Sequence, residues 1–176
     1  MLELGLRRFH GRVLHRSPSG SPHRVEQTWH RPLRQKNCPY YPSVVNGTFN
    51  TSFEFCTLKL YLPHDNFRVT FAYVPPKSNS NVYEQLAEQV RPSDLLIRDL
   101  NLNTLTSSDY DAKMEQLLHA MDSQQILHEA THVAGGQLDH CLLKNTRPRK
   151  SFQANSFKTT YSDHSYVAVR VDTSAV

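Results

Sequence analysis

The sequence predicts a layered α/β domain built on a mixed β-sheet, and three observations predict it. Leu95-Leu96-Ile97 is a short apolar run that follows a helical pattern and runs into Arg98-Asp99-Leu100-Asn101, as a strand buried on both faces does. Residues 53–62 and 67–74 are strand-like stretches separated by Pro63-His64-Asp65-Asn66, the pattern of an antiparallel hairpin. Two further segments, 81–90 and 110–122, carry apolar residues at helical spacing.

Each element follows from local chemistry. In residues 1–24, Leu2, Leu6, Phe9 and Val13 fall on one helical face of a segment rich in arginine and serine with a single acid, Glu3. That composition fits a frayed basic terminus or an organelle transit segment. Prolines 18, 22, 32, 39 and 42 interrupt residues 16–51, which read as mostly loop with a strand near 41–45. Residues 1–51 are therefore set apart as a poorly patterned basic segment, and 52–172 as the domain.

Within the domain, Phe53, Phe55, Thr57, Lys59 and Tyr61 alternate with the intervening residues to give one apolar strand face, and Pro75-Pro76 stops the second strand. Ser78-Asn79-Ser80 supplies caps for a helix whose face carries Val82, Leu86 and Val90 and which ends at Pro92. The strand 95–100 follows. Ser107, Ser108 and Asp109 cap a second helix with Met114, Leu117, Leu118 and Met121 as its stripe. Short strands are expected at 125–127, 138–143 and 166–171, with 131–136 as loop. Leaving aside the short 125–127, the order from residue 53 is β-β-α-β-α-β-β, that of an α/β sandwich.

Composition narrows the function classes. The chain has 176 residues, 38% hydrophobic and 20% charged, with a net charge of +4 and a pI near 9.0. A mild basic excess suits a polyanionic partner. No apolar run approaches the ~20 residues of a helical membrane span, so no membrane partner is expected, and an intracellular place, nucleus or cytoplasm, is. The three cysteines, Cys38, Cys56 and Cys141, form no CxxC pair, which argues against a zinc knuckle or a disulfide framework.

The chemistry gathers at strand ends. Ligands collect beyond the carboxyl ends of strands in open α/β sheets, and the period of two puts Asp99 and Asn101 on one side of theirs. A carboxylate beside an amide can hold a metal-bound phosphate. Three more clusters lie at strand ends or adjoining loops: Tyr73-Val74-Pro75-Pro76, Thr131-His132 through Leu138-Asp139-His140, and Ser162-Asp163-His164. Each alone is a weak signal.

Taken in order, Tyr73-Val74-Pro75, Arg98-Asp99-Leu100-Asn101, Leu138-Asp139-His140 and Ser162-Asp163-His164 resemble the endonuclease/exonuclease/phosphatase superfamily, which is deoxyribonuclease-like and abasic-endonuclease-like. The Thr131–His140 wording is similar to endonuclease domains of mobile elements. The resemblance covers about residues 53–172. It implies a layered sandwich of mixed sheets flanked by helices, incomplete in its N-terminal half, and Mg²⁺- or Mn²⁺-dependent hydrolysis of phosphodiesters in nucleic acid, DNA above all, by a retroelement-type endonuclease.

The resemblance also implies roles. His164 is held by Asp139, and the pair binds phosphate or helps to activate water. Asp99 orients or deprotonates the water, Asn101 bonds the phosphate, Tyr73 donates to the phosphate or leaving oxygen, and Asp163 is a metal ligand. Glu26, in Val25-Glu26-Gln27-Thr28-Trp29, is one residue out of register with the family's metal-binding glutamate, and Glu54 is the alternative. Arg147, Arg149, Lys150 and Lys158 are the candidate nucleic-acid contacts, alongside Lys144, with Phe152 and Phe157 interleaved. The family's glycine before the first acid is Arg98 here. That arginine either crowds the site, pairs with Asp99, or turns away to meet phosphate. With Arg98 and the unplaced glutamate, activity is expected to be weak or lost. The alternative is a non-catalytic nucleic-acid- or protein-binding module on the same fold, and a third reading is a small phosphoester substrate.

Overall fold

A computed structural model describes residues 2–5, 43–49, 52–61, 66–105 and 108–172. The hairpin forms as its alternation requires: β3 (Glu54–Tyr61) and β4 (Asn66–Tyr73) are antiparallel, with Glu54 opposite Tyr73 and Tyr61 opposite Asn66. Before them in the chain come β1 (Leu2–Gly5) and β2 (Ser43–Phe49). After β4 come α1 (Ser80–Val90), β5 (Leu95–Asp99), α2 (Ser108–Met121), β6 (Ser123–Gln125), β7 (Asp139–Lys144), β8 (Phe152–Phe157) and β9 (Tyr166–Val171).

Six strands make one mixed sheet in the order β2-β3-β4-β5-β7-β6, and three make a second, β1-β9-β8. The β4–β5 pairing is parallel, as a crossover through a helix demands. Asn79 caps α1, its side chain accepting the Val82 N–H at 3.2 Å. The buried face of α1 is Tyr83, Leu86, Ala87 and Val90, so Tyr83 takes the place expected of the partly buried Val82. The Tyr83 hydroxyl donates to the Leu100 carbonyl at 2.8 Å, which ties the helix to the end of β5.

β5 is buried on both faces, and the two faces serve different cores. Leu96 packs with Phe55, Leu86, Leu117 and Leu142 in the layer between the large sheet and the helices. Leu95 and Ile97 pack with Phe67, Cys141, Phe152 and Val169 between the two sheets. Fully burying each such side chain contributes about 1.5–3 kcal/mol, so the strand that ends in Asp99 is firmly held. Among the described residues, no helix is long and apolar enough to cross a membrane.

Several expectations need correction. Leu2–Gly5 is a strand paired with β9, with Leu2 opposite Val171, and not the start of a helix; cross-strand pairing decides so short a segment. β2 extends to Phe49, beyond the strand expected at 41–45, and joins β3 through a bulge between Val44 and Asn46. Both sheets thus take a strand from the segment set apart as 1–51. β6 lies two residues before the expected 125–127. The stretch 152–157, with Phe152 and Phe157 expected among nucleic-acid contacts, is a strand, β8, and its Phe152 is buried in the inter-sheet core.

Candidate active site at the carboxyl end of the large sheet

β5 delivers Asp99 and β7 delivers Asp139, and the two residues are register partners across the antiparallel pair. The strand ends at Asp99, so Asn101 does not share its face through strand alternation. Asn101 turns into the left-handed region (φ 51°), which asparagine tolerates better than most residues. Its backbone N–H donates to Asp99 Oδ1 at 3.1 Å, and its side-chain amide donates to the Val74 carbonyl at 2.8 Å. Val74 N–H in turn donates to the Asp99 carbonyl at 3.0 Å. Tyr73, half-buried at the end of β4, is thereby placed beside the Asp99 turn.

His164 descends on this end from the segment leading into β9. Its Nδ1 donates to Asp139 Oδ2 at 2.8 Å, and its Nε2 lies 3.9 Å from Asp99 Oδ2. Asp99 thus uses one oxygen in its own turn and aims the other at the imidazole. The hydrogen bond to Asp139 raises the His164 pKa above its usual value; partial burial opposes it, and the charges of Asp139, Asp99 and Asp163 add to it. Three carboxylates facing one half-buried imidazole make a site that attracts cations.

The loop after β6 locks this arrangement. Thr131 is fully buried, and its hydroxyl oxygen accepts the N–H groups of Leu138 and Asp139 at 3.0 and 2.9 Å. His132 and His164 form an isolated antiparallel bridge, flanked by Val133 N–H to the Asp163 carbonyl at 2.8 Å and Ser165 N–H to the Thr131 carbonyl at 2.6 Å. The turn needs Gly135 at φ 84°. It also needs Gly136, where a Cβ would meet Asn103 Nδ2 at 2.9 Å.

His132 belongs to one of the clusters visible in the sequence, which assigns it no role. Its ring stands edge-on to His164, with centroids 5.1 Å apart at 83°, and its Nε2 lies 3.5 Å from Asp163 Oδ2. The Ala134 N–H donates to His132 Nδ1 at 3.1 Å, which assigns the proton of the neutral ring to Nε2. His132, Asp163 and His164 offer ligand atoms within 4.8 Å of one another. Mg²⁺ takes oxygen ligands, so within this trio Asp163 alone suits it, and the His132 tautomer does not.

The remaining candidates separate. Arg147 donates to Asp94 Oδ1 at 3.0 Å, donates to the Asn66 carbonyl at 3.2 Å and lies over the Phe67 ring. Arg149 donates to the Phe152 carbonyl at 2.7 Å. Asp94 immediately precedes β5, so Arg147 sits at the end of the sheet opposite Asp99 and Asp139. Lys158 is exposed and follows β8, whose last residue, Phe157, faces Tyr166 near His164. Glu26 and the side chains of Arg98 and Lys150 lie outside the described residues. Glu54 is exposed at the start of β3, opposite Tyr73.

No family model and no curated protein sequence matches the chain. Solved structures do. The endonuclease domain of TRAS1, a telomere-specific non-LTR retrotransposon, superposes with a TM-score of 0.61 at 11% identity, over 74% of this chain and 67% of that domain. A beta toxin mutant from Staphylococcus aureus with bound magnesium ions gives 0.49 at 11% identity, over 70% of this chain and 58% of that one. An endonuclease/exonuclease/phosphatase family protein from Bacteroides thetaiotaomicron gives 0.43 at 12% identity, over 73% and 65%. The likeness to the TRAS1 domain is one of fold: the chain has the layered α/β sandwich architecture of that endonuclease domain.

Proposed function

We propose that this domain hydrolyses phosphodiester bonds in nucleic acid with the help of a divalent ion, Mg²⁺ or Mn²⁺. The observation that carries the reading is the line Asp139–His164–Asp99, with contacts of 2.8 and 3.9 Å. A phosphodiester repels nucleophiles, so the site must neutralise charge and take a proton from water. Asp139 holds the His164 ring by Nδ1 and leaves Nε2 facing the reaction zone. The Asp139 hydrogen bond raises the His164 pKa and so favours the imidazolium, which donates from Nε2 to a phosphate oxygen. Asp99 Oδ2, kept out of its own turn, takes the proton of the attacking water.

The second N–H of the Asn101 amide donates to the phosphate, and Tyr73 donates to the phosphate or the leaving oxygen. Asp163 would hold the divalent ion, which supplies Lewis-acid neutralisation of the phosphate charge. DNA is the substrate in this reading, by analogy with the TRAS1 domain, which is a retrotransposon endonuclease by its description.

The test is nicking of supercoiled plasmid in Mg²⁺, with and without chelator, beside His164→Ala and Asp163→Ala. The expected result is chelator-sensitive nicking that each substitution slows by about 10²-fold or more. Absence of nicking, or nicking indifferent to both substitutions, overturns the proposal. A gel shift that survives chelator without any nicking assigns the chain to non-catalytic binding instead.

A further inference from the structure

We infer that the loops joined at His132 and His164 carry a stacking rim for unpaired bases, so that the substrate is nucleic acid in single-stranded or locally opened form. The inference rests on the nucleic-acid reading above and adds the state of the strand. Among the described residues, Val133 is 75% exposed, Tyr161 73% and Phe157 51%. All three lie on the loops or strand end that frame His164. Apolar and aromatic side chains beside Asp163 and His132 are poorly suited to solvated phosphates, but they suit the face of a base whose phosphate reaches His164.

These residues are held, not merely exposed. The Val133 N–H donates to the Asp163 carbonyl at 2.8 Å. The turn bearing Tyr161 is tied on both sides: the Thr159 hydroxyl donates to the carbonyls of Ser162 at 3.3 Å and His164 at 3.0 Å, and the His164 N–H donates to Ser162 Oγ at 3.1 Å. Phe157 leans on Tyr166, with ring centroids 6.3 Å apart at 38°. Held backbone turns and the Phe157–Tyr166 contact lower the ordering cost of binding. Exposed Lys158, next to Phe157, supplies a positive charge for the backbone.

Stacking accepts any base, because every base has a π face. An intact duplex keeps those faces inside, and a rim of this kind then has nothing to cover. The occupant is therefore one or two unstacked nucleotides flanking the phosphodiester at His164.

The test is fluorescence anisotropy in chelator, with a labelled single-stranded 12-mer and the duplex of the same sequence, on the full chain. The expected result is at least tenfold tighter binding of the single strand. Phe157→Ala/Tyr161→Ala should remove that preference by raising the single-strand Kd at least tenfold while leaving the duplex Kd within twofold. A milder variant, Val133→Ser, should raise it about threefold, and unchanged thermal unfolding of both variants verifies the fold. Equal affinity for the two forms, or a preference that survives the double substitution, overturns the rim. Because binding is read without turnover, a nicking failure with the preference intact removes only the catalytic proposal. Nicking without the preference removes only the rim.

Discussion

Protonation of His140 should unfold this domain's active end. His140 follows Asp139 in β7 and is fully buried. Its Nε2 donates to the Leu102 carbonyl at 2.8 Å, and its Nδ1 faces the Gln125 amide, 3.1 Å from Nε2 and 3.2 Å from Oε1. The same Gln125 amide donates to the Leu127 carbonyl at 2.8 Å, which fixes its orientation. A second ring proton would place a net charge on a ring closed off from water. Burial is the main reason its pKa falls from 6.5 to about 4, against smaller upward pulls from the Leu102 hydrogen bond and the Asp139 charge.

A depressed histidine binds its proton more tightly when unfolded. Its contribution is complete above 6.5 and is lost as pH falls from 6.5 to about 4. At about 1.36 kcal/mol per pH unit, that interval is worth roughly 3 kcal/mol. His164 acts in the other direction and in another window: its raised pKa adds stability below the ordinary histidine value, and that stability fades as pH rises through the raised one. Urea unfolding at pH 7, 6, 5 and 4, for the wild type and His140→Gln, isolates the His140 contribution, since carboxylate titration is common to both. The wild type should lose roughly 3 kcal/mol more than the variant between pH 7 and 4. Parallel curves would refute the buried neutral network.

Two other perturbations separate structure from substrate contact. Thr131→Val keeps the shape but leaves the Leu138 and Asp139 N–H groups without their acceptor. It should cost about 2 kcal/mol, seen as a fall of roughly 4–8 °C in Tm, and should slow nicking by displacing Asp139. Arg147→Ala breaks a partly buried ion pair with Asp94 and uncovers Phe67. It should cost about 1–2 kcal/mol of stability with nucleic-acid affinity unchanged, whereas Lys158→Ala should leave Tm unchanged and reduce the salt dependence of binding by about one charge.

The contrast between these residues shows what a linear sequence can carry. The hairpin, β5 and both helices were legible because each buries a periodic face. The meeting of Asp99, Asp139 and His164 was legible because their motifs fall at strand ends in a recognisable order. β8 was hidden because only Phe152 and the small Ala154 of Phe152–Phe157 pack against the core, and the rest are half-buried or exposed polar residues and an exposed Phe157, so the alternation is weak. β2 is an edge strand with Val44 and Val45 in solvent, and β1 is four residues long and depends on β9, far along the chain. Thr131 and His132 had no signature as ligands or supports. Their roles come from a backbone bridge between loops 32 residues apart. Arg147 looked like a phosphate contact because charge is visible in sequence, while the Asp94 that occupies it is 53 residues away.

The central claim is that Asp139 and His164 act on the phosphodiester as one unit. A double-mutant cycle on the Mg²⁺-dependent nicking rate measures this most directly, with Asp139→Asn, His164→Ala and the two combined. Acting as a unit, each single substitution should cost about 10²-fold or more, and the pair should be within about threefold of His164→Ala alone. Losses that multiply, or wild-type nicking by Asp139→Asn, would contradict it.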